Sequence, residues 1–143
     1  MELYDLTKAF AEKHRMINEF GVLGSEDELS SMDYEYRSMQ LLVQKSNISR
    51  ELNSPVYQID LSVIVLDKLN GDDDRAMMLA TEENIFVISQ YQDYMLQIDG
   101  DVSFEDIEVV SVEMEDETVA VAFCNFTVRF GRKPYTNEIN KED

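Results

Sequence analysis

The chain has 143 residues, of which 30 are Asp or Glu and 12 are Lys or Arg, giving a formal charge of −18. That length suits one domain burying roughly two-thirds of its unfolded surface, and a composition 44% hydrophobic and 29% charged excludes a membrane protein and a disordered chain. The acidic balance disfavours gripping phosphate backbones through a basic patch. The single cysteine, Cys124, leaves no intrachain disulfide or thiolate zinc site, and the single histidine, His14, argues against His-based catalysis.

In chain order, the first twenty residues predict an amphipathic helix. Leu3, Leu6, Phe10, Ile17 and Phe20 share one face, and Gly21 and Gly24 act as a stop. His14, between Lys13 and Arg15, is expected on the wet face. Met39, Leu41, Leu42 and Val43 predict a strand, and residues 46 to 55 a polar connection closed by Pro55. The clearest strand runs from Val56 to Leu66. Tyr57, Ile59, Leu61, Val63 and Val65 point one way, and Gln58, Asp60 and Ser62 the other. Ile64 and Leu66 make its end apolar on both faces, which predicts a central strand.

After a loop at 67–74, a long helix is expected over 75–97. Its seam is formed by Met78, Thr81, Ile85, Ile88, Gln92 and Met95, flanked by Leu79, Phe86 and Tyr91. Two antiparallel strands, 107–114 and 118–130, then form a hairpin. Together these elements predict an α+β fold: a small, mostly antiparallel sheet packed on one side by an N-terminal helix and a long second helix. Residues 1–131 form a single domain in this reading, with 132–143 as a polar tail.

The last strand carries apolar residues on both faces. Ala120, Ala122, Cys124, Phe126, Val128 and Phe130 line one. Val119, Val121 and Phe123 begin the other, which turns polar at Asn125, Thr127 and Arg129. A sheet with helices on one side leaves its other side wet, so this apolar half calls for a cover. A loop of the same chain or a neighbouring subunit can supply it, and the subunit is the preferred reading. Val119, Val121 and Phe123 are therefore candidate interface residues. Arg129, Arg132 and Lys133 concentrate three cations in five positions. They read as a solvated strand end or, more sharply, as a docking segment for an acidic neighbour.

No motif for chemistry emerges. Asn70, Asp72 and Asp74 alternate like a calcium loop, but Arg75 and Thr81 stand where glycine and glutamate are needed. Asp99, Asp101 and Ser103 fail likewise at Phe104. Helix capping and solubility explain both clusters. Cys124 reads as a buried structural thiol, and no glycine-rich phosphate loop is present. No enzyme activity, cofactor or metal is therefore expected. No secretory signal or apolar span is apparent, so a cytoplasmically made protein without membrane association is expected.

The strand from Ser62 through Asp67 to Asn70, the acidic loop, and the helix from Met78 through Ile88 resemble the tail-terminator and tail-completion proteins of tailed bacteriophages. The match looks best to the neck proteins of crAss-like podoviruses. The closing hairpin, with its turn at 113–118 and last strand at 119–130, extends the likeness over most of the chain. The resemblance implies a structural virion protein forming a ring of six or twelve copies at the neck. There it would contact portal or other neck and tail proteins, join head to tail and keep the DNA channel continuous. An acidic wall, with Asp72, Asp73 and Asp74 candidates to face the channel, would let DNA pass without specific binding. The alternative from another class is a small acidic DNA mimic, an inhibitor or immunity protein filling a basic groove.

Overall fold

In the computed structural model, the structure describes residues 3–25, 28, 37–50, 56–69, 74–98, 101–114 and 117–131. The order is α1 (Leu3–Lys13), β1 (Glu19–Leu23), β2 (Ser38–Arg50), β3 (Val56–Lys68), α2 (Asp74–Ile98), β4 (Val102–Met114) and β5 (Glu117–Gly131). The fold is α+β: among the described residues, a five-stranded sheet, ordered β1-β2-β3-β5-β4, with α1 and α2 packed against it. Among the described strand pairs, β1–β2 is parallel and the other three are antiparallel. β3 and β4 both run antiparallel to β5, hence parallel to each other. Parallel strands need a long crossover, and α2, about 37 Å long, supplies it. β5 is laid between the two strands that this helix joins.

β3 is central, as its two-faced pattern predicts, and pairs along its whole length with β5, from Val56 opposite Gly131 to Lys68 opposite Val119. Leu61, Val63 and Val65 of β3 join Ala122, Cys124, Phe126 and Val128 of β5 on the helix side, against Val87, Ile88, Tyr91 and Met95 of α2. Tyr91 is the hub. Its ring meets Phe10, Phe104 and Phe126 edge-on at centroid distances of 5.4, 6.1 and 5.9 Å, and its hydroxyl hydrogen-bonds the buried Thr7 Oγ1 at 2.8 Å. Burial pushes the Tyr91 phenol far above its ordinary pKa, so it stays neutral.

Several expectations are corrected. The first helix ends at Lys13, and residues 19–23 form an edge strand. Gly21 is thus a strand residue rather than a helix stop. The buried Gln40 side chain on the paired β2 lies over it, so a Cβ at Gly21 would come within 2.7 Å of Gln40 Oε1. Ile17 and Phe20 still reach the core, from a loop and a strand. β2 continues to Arg50, through a register shift between Val43 and Ile48. α2 lies where expected but is turned about its axis. Ala80, Asn84, Val87 and Tyr91 share its buried face with Ile88 and Met95, while Met78 is 63% exposed. Tight approach to a sheet favours the small Ala80 over the larger Met78 and Leu79.

The opposite sheet face holds a second apolar cluster of Leu23, Leu42, Ile64, Leu66, Val119 and Val121, with Phe123 packed against it. Val119 is 0% and Val121 6% exposed within the single chain. This corrects the preferred reading that a neighbouring subunit covers these two positions: the chain itself takes them out of water.

Candidate functional site

Beyond its buried half, the outer sheet face turns polar along β3 and β5. Thr127 Oγ1 donates to Asp60 Oδ1 at 2.7 Å, Ser62 Oγ donates to Asn125 Oδ1, and Arg129 Nε donates to Gln58 Oε1 at 3.3 Å. Arg129 is exposed and sits at the end of this ladder. Phe123 is half-buried. Asp74 is exposed as the first residue of α2, where a carboxylate suits the positive end of the helix dipole. Arg132, Lys133, Asp72 and Asp73 lie outside the described residues.

β4 is an edge strand, and the β5 register places Glu108, Val110 and Val112 beside Phe123, Val121 and Val119 on the outer face. Val110 is 46% and Val112 39% exposed. These valines extend the buried cluster into an open apolar strip bordered by Glu108. A second exposed apolar group lies on the solvent face of α2: Met78, Leu79 and Phe86, with Glu82 and Glu83 between them.

Phe86 also borders a groove of about 580 Å³ between the end of α1 and the middle of α2. Its walls include Phe10, Met16 and Tyr94, and Lys13 and Arg15 also line it. His14 is half-buried here, which corrects its expected place on the wet helix face. Its ring lies 5.4 Å from the Phe10 ring. The Met16 backbone N–H donates to His14 Nδ1 at 3.1 Å, so the ring proton sits on Nε2 and is donated to Gln90 Oε1 at 2.5 Å. His14 thus ties the end of α1 to α2 and shapes the groove. The basic triplet 13–15 was visible in sequence. What turns it toward α2 is the chain reversal after Lys13, which a continuous helix conceals.

At one end of the sheet, Arg37 gathers a polar cluster that sequence reading did not assemble. Its Nε donates to Asn84 Oδ1 at 2.9 Å, and one terminal nitrogen donates to Asp67 Oδ2 at 2.7 Å and Glu83 Oε1 at 3.0 Å. Asn84, fully buried, passes the chain of bonds to the Ala120 carbonyl at 3.1 Å. Burial raises the Asp67 pKa, outweighing the lowering by Arg37, while nearby Glu83 raises it further. The cluster locks β2, β3, α2 and β5 together.

Cys124 is buried as expected. Its Sγ accepts from Gln92 Nε2 at 3.4 Å and donates to the Glu105 carbonyl at 3.1 Å, within the register shift between Phe104 and Ile107. Burial pushes the thiol pKa up, which suppresses the reactive thiolate. Iodoacetamide at mildly alkaline pH should therefore label Cys124 at least ~100-fold more slowly in the folded chain than in urea. Equal rates would show that the thiol is accessible in the native state.

No protein-family model matches the chain, and no curated protein matches it. Among the described residues, no group of three His, Cys, Asp or Glu side chains is arranged to hold a metal ion, and no helix is long and apolar enough to cross a membrane. What the described surface offers chemically is contact: exposed apolar patches on β4 and α2, and a groove lined by Lys13 and Arg15, which make no ion pair among the described residues, on a strongly acidic body.

Proposed function

We propose that this chain is a structural virion subunit forming a closed ring of six or twelve copies at the portal–tail junction of a tailed bacteriophage. The ring joins head to tail and keeps the DNA channel continuous. Its carboxylates, Asp74 among them, face DNA that passes without being gripped. The observation that carries this reading is the pair of unlike apolar patches exposed on an otherwise acidic chain: Val110 and Val112 on β4, and Met78, Leu79 and Phe86 on α2. A lone acidic protein gains nothing from leaving such residues in water, whereas a subunit that repeats around an axis needs two different surfaces. The patches lie on opposite sides of the sheet and are thus two different surfaces, which is what a head-to-tail contact needs.

The test is to find the protein in purified particles and count it. Quantitative mass spectrometry against the portal protein should give six or twelve copies per portal ring, and a reconstruction should place it at the neck. Its absence from purified particles would overturn the proposal.

A further inference from the structure

The groove between α1 and α2 is cationic in a chain that is not. Lys13 and Arg15 line it against one carboxylate, Asp93, while the whole chain carries 12 cations against 30 acids. Neither cation makes an ion pair within the described residues, although carboxylates abound. The same groove is walled by the apolar side chains of Phe10, Met16, Phe86 and Tyr94. Copies of a −18 chain repel one another, so a contact between them needs cations at the seam. This groove offers two, beside apolar surface that gains from leaving water.

The complement is present on the other side of the same molecule. Val110, Val112 and half-buried Phe123 form the exposed strip on the outer sheet face, and Glu108, exposed and without an ion pair among the described residues, borders it. Apolar side chains there match the groove's apolar walls, and Glu108 matches Lys13 and Arg15. Because groove and strip are different surfaces on opposite sides of the sheet, their contact is heterologous, the kind that closes into a ring when the rotation between copies allows it.

We propose, on the basis of the ring reading above, that the groove between α1 and α2 is the socket for the Val110–Val112–Phe123 strip of the next copy, with Glu108 meeting Lys13 and Arg15. The socket takes the apolar side chains, and the charges set the orientation of successive subunits. His14 and Gln90, already bonded to each other, hold the groove open without competing for the incoming carboxylate.

The experiment is charge reversal read by analytical ultracentrifugation and by incorporation into particles. Lys13→Glu with Arg15→Glu should weaken association of the full chain by about tenfold or more, and Glu108→Arg alone should do the same. Their thermal melting should stay close to that of the parent, since all three side chains are exposed, with only a small loss from reversing Lys13 at the negative end of α1. Combining the three changes in one chain should restore assembly, a recovery that a merely structural role would not produce. Wild-type assembly in both single-sided variants, or no recovery in the combined one, overturns the socket while leaving a ring built on other surfaces intact. A wild-type chain that neither associates nor enters particles overturns the ring reading and the socket with it.

Discussion

Arg37→Met should destabilise the fold by about 2–3 kcal/mol in urea unfolding at neutral pH, near the lower end for breaking a buried ion pair. Arg37 is almost fully buried, with side-chain exposure of 9%, but its partners Asp67 and Glu83 keep 23% and 48%, so water screens part of the loss. Methionine preserves the volume and isolates the polar effect. Asn84 Oδ1 loses its donor in a fully buried site, and two carboxylates face each other without a cation. Asp67→Asn in the same background should recover part of the loss, because it removes both the like-charge repulsion and the desolvation of the carboxylate.

The pH dependence follows from Asp67. Its folded pKa lies above the ordinary 3.8, so protonation favours the folded state: the stability Asp67 contributes is fully present below 3.8 and is lost as pH rises through the folded value. The Asp67–Arg37 attraction exists only where Asp67 is charged. The penalty of Arg37→Met should therefore be full at neutral pH and shrink as pH falls through the raised pKa toward 3.8. A penalty independent of pH would mean that lost packing, rather than charge, causes the destabilisation.

Tyr91→Ala should cost about 3–5 kcal/mol, the range for removing a large aromatic from a core. Tyr91 is fully buried and is the contact shared by three other rings: Phe10 from α1, Phe104 from β4 and Phe126 from β5. Its loss opens a cavity at the point where both helices meet the sheet. Tyr91→Phe keeps the rings but leaves Thr7 Oγ1, itself fully buried, without its partner. That variant should lose about 1–2 kcal/mol. Chemical unfolding of the pair separates packing from hydrogen bonding, and a Tyr91→Ala chain as stable as the parent would remove Tyr91 from its central place. Loosening of α1 in Tyr91→Ala should also appear as faster amide exchange over Leu3–Lys13.

Residue pattern alone was enough for the α+β class, the position of α2, the central place of β3 and the β4–β5 hairpin. These are long elements whose period of apolar residues is set by burial on a known side, so the signal accumulates over many positions. β1 escaped because five residues containing Gly21 carry too short a pattern, and helix-spaced Ile17 and Phe20 imitate a continuing helix. Its strand exists because β2 is there to pair with it. The rotation of α2 likewise depends on its partner: several faces of that helix are apolar, and close approach to the sheet selects the one with Ala80.

The candidate interface divided the same way. The two-faced pattern of β5 was legible as a demand for cover, but which side supplies the cover is a question of distance, and the chain buries Val119 and Val121 without help. The Arg37 cluster and the groove beside His14 bring together residues 47 and 76 positions apart in sequence. No local pattern encodes such pairs, because each forms only when helix and sheet pack at a particular angle. The charge of −18 was evident from composition, yet composition is silent on where the few cations gather. Folding places Lys13 and Arg15 together at an apolar groove, and that placement gives the acidic chain a surface on which a second copy can settle.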